Sequence, residues 1–267
     1  MRAFDYHRPK SLKEALSLLR KVENAKPLAG GQSLIPTLKL RLSSPAALVD
    51  LGAIEEMRGI KLDGGTLTIG ALATHAEVAA SKDVALGIPA LARLADGIGD
   101  RQVRNRGTIG GSLAHNDPAA DYPAAVLGLG ATVNTNKRAI AADKFFTGTF
   151  ATALKAGEIV TSVTFPLPKR AAYVKFRQPA SRFAIVGVFV SESVGNVRVA
   201  VTGAGSCVFR AKNMEKRLAE KFAAESIARV KITPDELASD IHASAEYRAH
   251  LIGVIAQRAV ESALAGK

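Results

Sequence analysis

Two pairs of adjacent glycines, each with a serine within the next two residues, are the segments whose residue types best suit binding chemistry. The first pair lies in residues 29–33 (Ala-Gly-Gly-Gln-Ser) and the second in residues 108–112 (Thr-Ile-Gly-Gly-Ser). Adjacent glycines let the backbone curl so that successive N–H groups point at one anion, and a helix N-terminus behind them reinforces this. One such turn alone is an ordinary strand-to-helix connection. Two in one chain suggest a ligand with two phosphates, with two ordinary turns as the alternative.

Other signatures of nucleotide binding and catalysis are missing from the sequence. The GxG at residues 203–205 begins like a dinucleotide fingerprint, but Val208 stands where a third glycine or an alanine belongs. There is no Walker A loop and no Gly-x-Ser-x-Gly elbow, and the histidines lack the paired spacing of zinc ligands. The ligand of the glycine loops is therefore held by neither the Rossmann nor the P-loop motif.

Charged residues beside the second loop leave two interpretations open. Arg101, Arg104 and Arg106 precede the loop and either stabilise a bound anion or form a surface that faces a partner. His115 follows the loop and is either close to the ligand or an ordinary structural histidine. No general acid, general base or metal ligand is assigned.

The single cysteine, Cys207, restricts the redox chemistry open to this chain. It excludes an intrachain disulfide, which fits a reducing compartment. It also excludes an iron–sulfur cluster held by this chain alone, since a cluster usually takes four cysteines. Any redox chemistry must use an organic cofactor or a metal held by a partner.

The distribution of charge argues against a nucleic-acid-binding protein. The net charge is +12, but the basic residues are scattered, aromatic residues make up only 5% and tryptophan is absent. A solvated surface or an acidic partner protein explains the charge better. The apolar runs fall far short of the roughly 20 residues of a membrane span. No apolar signal core follows the N-terminus, so we expect a cytoplasmic protein.

The pattern of apolar and turn residues predicts an α+β chain in two parts. The first 50 residues are expected to run β-α-β-α-β, followed by hairpins that turn at Asp63-Gly64 and near Asn136, with an irregular glycine-rich stretch over residues 97–112. Residues 166–170 (Pro-Leu-Pro-Lys-Arg) are the best linker candidate. Three strands are expected after it. The expected helices of this second part cover residues 212–228, 234–238 and 245–265.

The two loops resemble the paired AGGxS and TIGG loops of the FAD-binding medium subunits of molybdenum hydroxylases, a family that includes carbon monoxide dehydrogenase medium subunits and the flavin domain of xanthine dehydrogenase. The resemblance covers nearly the whole chain, including residues 117–121, 175–181 and 247–251. It implies an α+β fold with an FAD-binding domain of the vanillyl-alcohol-oxidase-like (PCMH) type. That domain would span residues 1–168, with a small α/β part over about 1–55 and a larger α+β part over about 56–168. Residues 169–267 would form a small C-terminal α+β domain with a three-stranded antiparallel sheet and helices.

The resemblance also implies which residues contact the cofactor. Gln32 stands where the family often has His, which favours non-covalent FAD. Phe183 stands where the family often has Tyr over the flavin ring, and it keeps the stacking surface without the hydroxyl. The full set of expected cofactor-binding residues is Leu28, Ala29, Gly30, Gly31, Gln32, Ser33, Leu34, Ile98, Thr108, Ile109, Gly110, Gly111, Ser112, Asp121, Ile159, Val160, Arg177 and Phe183.

The function implied by the resemblance is electron transfer within an oxidoreductase complex. The FAD of this chain would take electrons from [2Fe–2S] clusters of a small partner subunit and pass them to an external acceptor. The molybdopterin would lie in a large subunit, and the whole would be a dimer of heterotrimers with no nucleic acid. One alternative is a self-sufficient FAD-dependent reductase or oxidase on the same fold. A more distant alternative is a basic polyanion-binding module, for which the two glycine loops would be coincidental.

Overall fold

In the computed structural model, which describes residues 1–266, the chain begins with a small three-stranded parallel sheet. The strands are β1 (Asp5–His7), β2 (Ala25–Leu28) and β3 (Ala47–Asp50), and the helices between them are α1 (Leu12–Lys21) and α2 (Leu34–Lys39). The order β1-β3-β2 places the apolar, buried β3 in the centre. The predicted β-α-β-α-β succession is confirmed. The first glycine loop joins β2 to α2.

A five-stranded antiparallel sheet and six helices form the larger part that follows. The five strands are β4 (Ile60–Asp63), β5 (Thr66–Gly70), β6 (Thr132–Thr135), β7 (Ala139–Ala141) and β10 (Val160–Pro166), and a separate small hairpin is made of β8 (Phe146–Gly148) and β9 (Ala151–Thr152). The helices are α3 (His75–Ala80), α4 (Lys82–Gly87), α5 (Pro89–Asp96), α6 (Arg101–Arg104), α7 (Ile109–His115) and α8 (Tyr122–Gly128). The sheet order β4-β5-β10-β6-β7 contains both predicted hairpins.

The glycine-rich stretch over residues 97–112 is more regular than predicted, because it contains α6 and the first turn of α7. Asp100 caps α6 by accepting a hydrogen bond from the N–H of Val103 at 2.8 Å. Thr108 caps α7 in the same way, with the Gly111 N–H at 3.1 Å from its hydroxyl oxygen. Capping side chains of this kind satisfy N–H groups that a helix start leaves free, so short helices form in spite of the glycines.

The C-terminal part is a four-stranded antiparallel sheet covered by helices. Its strands are β11 (Arg170–Arg177), β12 (Ala184–Ser193), β13 (Asn196–Thr202) and β14 (Phe209–Arg210), in that order, and its helices are α9 (Lys212–Glu220), α10 (Ala224–Ile227) and α11 (Ala245–Leu264). The three predicted strands are present, and the sheet differs from the prediction because the short strand β14 adds a fourth strand. The prediction of a helix over residues 234–238 is wrong, because the segment forms only a single turn, in which the Leu237 N–H donates to the Pro234 carbonyl.

The strand β12 separates two hydrophobic cores. Val186, Val188 and Val190 face the core shared with α11, whereas Phe189 faces the core of the larger N-terminal part. The C-terminal sheet is therefore packed on both faces, and the α+β fold class is confirmed. Among residues 1–266, no helix combines the length and apolar character needed to cross a membrane.

Candidate functional site

A cleft of about 580 Å³ lies where both glycine loops meet the C-terminal part of the chain. Its volume falls in the range of roughly 300–1,000 Å³ that is typical of small-molecule and cofactor sites. Sixteen of the expected site residues line it: Leu28, Ala29, Gly30, Gly31, Gln32, Ser33, Leu34, Ile98, Thr108, Gly110, Gly111, Ser112, Asp121, Ile159, Val160 and Phe183.

Two expected site residues, Ile109 and Arg177, do not line the cleft. Ile109 is the first residue of α7, and its side chain is fully buried in the N-terminal core. Arg177 is the last residue of β11 and is exposed to solvent. Neither Arg101, Arg104 nor Arg106 lines the cleft either, so their interpretation as direct anion ligands is not supported.

The two glycine loops are in direct contact with each other. A Cβ atom added to Gly30 would lie only 2.0 Å from the carbonyl oxygen of Arg106, just before the second loop. One added to Gly111 would lie 3.7 Å from the Cβ of Ala29. Only glycine at position 30 allows the two loops to come this close. The structure thus joins two segments that are distant in the sequence into one wall of the cleft.

The first loop presents a row of hydrogen-bond donors without acceptors in the protein. Among residues 1–266, the backbone N–H groups of Gly30, Gly31, Gln32 and Ser33 have no hydrogen-bond acceptor. Gly31 adopts a left-handed conformation with φ of +75°, which turns the chain into α2. The Ser33 side chain does not cap the helix and lines the cleft. This loop has the form expected of an anion-binding turn.

The second loop differs, because its N–H groups already have acceptors in the protein. The Ile109 and Gly110 N–H groups donate to the carbonyls of Ala73 (3.1 Å) and Ala71 (2.9 Å), and the Gly111 N–H donates to Thr108. The expectation of a second anion nest at this loop is therefore wrong. The loop is the first turn of a helix that is docked on the end of β5, and it contributes a close-packed wall and the Ser112 hydroxyl.

His75 borders the cleft and was missed by the sequence analysis. It is 5% exposed, and burial, with a smaller contribution from the charge of Arg104, lowers its pKa to about 4. Its Nδ1 has no hydrogen-bond partner among residues 1–266, and a Cβ on Gly107 would lie 2.4 Å from its Nε2. His75 is thus neutral at neutral pH. Its position follows from the capping box of Thr74 and Glu77, because α3 begins at His75, directly after the N-cap Thr74.

Asp121 joins the cleft to the C-terminal sheet. Its carboxylate accepts hydrogen bonds from the Tyr173 hydroxyl and, at 2.8 Å, from the Lys175 ammonium. Burial raises the pKa of Asp121, while the charge of Lys175 opposes this rise. Burial and the nearby carboxylate also raise the pKa of Tyr173. Because Asp121 precedes α8 and its partners lie on β11, this cluster fixes the two parts of the chain against each other beside the cleft.

The segment 97–99 forms another edge of the cleft and is held by three cations. The Lys175 ammonium donates to the Gly97 carbonyl at 3.0 Å. Arg104 donates to the Ile98 carbonyl at 3.0 Å, and Arg182 donates to the Gly99 carbonyl at 3.1 Å. Two of these cations come from the C-terminal part, which also supplies Phe183 at the mouth of the cleft. The C-terminal part therefore completes the site.

The lining fits a ligand with an anionic centre and an extended aromatic end. Free backbone N–H groups and the Ser33 hydroxyl suit phosphate oxygens. Leu51, Met57 and Leu72 supply apolar walls, and Phe183 is 48% exposed, so its ring can stack on a planar group. These features fit FAD. No three His, Cys, Asp or Glu side chains among residues 1–266 come together as a metal site.

Comparison with known protein families matches both parts of the chain. Residues 2–168 match the family described as the FAD binding domain in molybdopterin dehydrogenase. Residues 171–263 match the family described as the CO dehydrogenase flavoprotein C-terminal domain.

Individual relatives cover the chain almost completely. The carbon monoxide dehydrogenase medium chain of Hydrogenophaga pseudoflava is 35% identical, covering 98% of this chain and 97% of the relative. The nicotine 6-hydroxylase medium subunit of Paenarthrobacter nicotinovorans is also 35% identical, with the same coverage of 98% and 97%. The solved structure of quinoline 2-oxidoreductase from Pseudomonas putida 86 includes a chain with a TM-score of 0.90 and 32% identity, covering 99% of this chain and 98% of that one.

Proposed function

The chain belongs to the family of FAD-binding medium chains of molybdopterin dehydrogenases, and on that premise we propose that it is the electron-transferring flavin subunit of a molybdenum-containing hydroxylase or dehydrogenase. The observation that carries the proposal is the row of free N–H groups over residues 30–33, packed against the second glycine loop in a cleft of cofactor size. FAD, when bound, supplies a two-electron carrier that links one-electron donors to an external acceptor.

The residues of this chain bind and orient the cofactor. The N–H groups of Gly30, Gly31 and Gln32, with the Ser33 hydroxyl, would hold the pyrophosphate, and Phe183 would cover one face of the flavin ring. Gln32 offers an amide where covalent attachment would need an imidazole, so we propose non-covalent FAD. Thr108, Gly110 and Ser112 would form the adjoining part of the same wall, while Asp121, Ile98, Ile159 and Val160 would complete the lining.

We further propose that residues 1–168 and 169–267 are the two domains, and that the complex has two other kinds of chain. The relatives are called medium chains or medium subunits, which implies larger and smaller partners in their complexes. For this chain we propose a molybdopterin-binding large subunit, a small subunit with [2Fe–2S] clusters, and a dimer of such heterotrimers. The single cysteine fits this division, because the clusters need ligands from another chain.

The absorption spectrum of the natively purified chain, before and after acid precipitation, tests the proposal. The expected result is a flavin spectrum, release of the FAD into the supernatant, and co-purification with chains that contain molybdenum and iron. A colourless chain that does not bind added FAD would overturn it. Substrate oxidation by the FAD-loaded chain without partners would instead favour a self-sufficient enzyme.

A further inference from the structure

Two exposed leucines mark a surface that the cofactor site does not explain. Leu40 is 71% exposed and Leu42 is 76% exposed, in the turn that follows α2. Lys39 and Arg41 alternate with them and are also exposed. We call residues 39–42 the Leu40–Leu42 spur. Single exposed apolar side chains are ordinary on protein surfaces, but two large ones that alternate with cations in the sequence concentrate apolar area in one short turn.

The backbone of the spur holds the leucines outward. Arg41 adopts a left-handed conformation with φ of +61°, which is uncommon for a residue other than glycine. Its N–H donates to the Leu38 carbonyl at 3.1 Å, and the Leu42 N–H donates to the Thr37 carbonyl at 3.0 Å. The exposure of the leucines therefore belongs to an ordered turn.

The spur stands at the rim of the cofactor cleft. Thr37 and Ser43, on either side of it, both line the cleft, and so does Lys26 of the neighbouring strand β2. The Asn24 side chain donates to the Ser44 carbonyl at 3.0 Å and ties the end of this turn to the parallel sheet. A protein that covers the spur would thus lie directly against the mouth of the cleft.

The charged residues of the chain segment that carries the spur have one sign. Residues 24–49 include Lys26, Lys39 and Arg41 but neither Asp nor Glu. None of these three cations forms an ion pair with any residue among 1–266. An exposed apolar pair on a segment with unpaired cations is complementary to an apolar depression with an acidic rim.

We propose that the Leu40–Leu42 spur is the docking surface for the [2Fe–2S] subunit of the complex, and that this subunit presents an apolar depression with an acidic rim. The inference rests on the proposed function, because it needs a redox partner. A partner that delivers electrons must approach the cleft that would hold the FAD, whereas other partners have no such constraint. Leu40 and Leu42 would anchor the contact, and Lys26, Lys39 and Arg41 would steer the acidic partner.

The test compares variants of the full chain in the purified complex. In L40D/L42D, two carboxylates would face the acidic rim, and we expect association with the [2Fe–2S] subunit to weaken by about 10-fold or more, as for loss of an interface anchor. K39E/R41E should also weaken association with the [2Fe–2S] subunit and reduce the salt dependence of that association. L86D is the matched control, because Leu86 is 77% exposed on α4 and stands outside the spur. Flavin absorbance of each variant reports whether FAD binding is intact.

The outcomes separate this inference from the function on which it rests. Loss of the [2Fe–2S] subunit from L40D/L42D, with FAD retained and L86D unaffected, supports the docking surface. Unchanged association of L40D/L42D with the [2Fe–2S] subunit overturns the docking surface and leaves the proposed function standing. Loss of the molybdenum subunit alone has the same meaning. A wild-type chain without FAD or a cluster-bearing partner overturns both. Hydrogen exchange gives an independent check, since the amides of residues 40–43 should exchange more slowly in the complex than in the free chain.

Discussion

Replacing Lys175 by methionine tests whether a buried ion pair holds the two parts of the chain together beside the cleft. The Lys175 ammonium lies 2.8 Å from the Asp121 carboxylate, and the two side chains are 11% and 4% exposed. At this depth the pair belongs to the buried class, for which loss of one partner costs about 3–5 kcal/mol, because the other charge remains without compensation. Methionine keeps most of the aliphatic volume, so the loss of charge dominates the effect.

The expected change is large enough for thermal unfolding to resolve. A loss of about 3 kcal/mol at roughly 2–4 °C per kcal/mol predicts a fall in Tm of about 6 °C or more for the FAD-free chain. Burial already raises the pKa of Asp121, and removal of the opposing Lys175 raises it further. The native variant then binds more protons than the unfolded chain between the unfolded and folded pKa values. Its stability should be greatest below the unfolded pKa and fall as pH rises through the folded pKa.

A double-mutant cycle separates the ion pair from general disruption. D121N/K175M removes both charges and still leaves an amide oxygen for the Tyr173 hydroxyl, so it should be more stable than K175M by about 1 kcal/mol or more. The measurement is Tm at pH 7 for the wild type, both single variants and the double variant. If K175M is no less stable than D121N/K175M, the reasoning about an uncompensated carboxylate is refuted.

Three further predictions concern the cleft itself. Gly30→Ala would put a Cβ atom 2.0 Å from the carbonyl oxygen of Arg106 and should abolish FAD binding in a fluorescence titration, whereas Gly253→Ala should not, because a Cβ there would meet nothing within 4 Å beyond the backbone of its own helix. The pKa of His75 is about 4, below its usual 6.5, so its contribution to stability is present above pH 6.5 and is lost as pH falls towards 4. The free energy of unfolding in urea is measured for the wild type and for His75→Asn at each pH, and the difference between the two should change by about 3 kcal/mol across this range. A difference that does not change with pH would contradict the assignment. Phe183→Ala should raise the Kd for FAD about 2- to 10-fold and Phe183→Tyr should not, so equal affinities would argue against stacking.

Much of the fold could be predicted because its signals are local. The Asp63-Gly64 turn and the Thr74 capping box specify a hairpin and a helix start from a few neighbouring residues. Strand β14 carries no such signal. Its two residues are a strand only because Phe209 pairs with Val201 of β13, a contact that depends on the tertiary fold.

The site could be predicted in outline and less well in its chemistry. The glycine pairs mark both loops, but their spacing does not show that the N–H groups of the second loop are taken by the carbonyls of Ala71 and Ala73. The resemblance to the TIGG loop predicts Ile109 in the site, whereas the helix that starts there turns its side chain into the core. His75 could not be assigned from the sequence, because its burial and its lowered pKa both depend on elements that pack around α3.

The two glycine loops therefore have different structural roles in spite of their similar sequences. The first must keep its N–H groups free, so it turns away from the sheet through the left-handed Gly31. The second must stay fixed, since the first is packed against it through Gly30. Segment 97–99 is fixed from the other side by Lys175 and Arg182 of the C-terminal part. A ligand that needs all three edges in place binds more tightly when the two parts of the chain are in contact. By linkage, the bound ligand stabilises that contact by the same free energy.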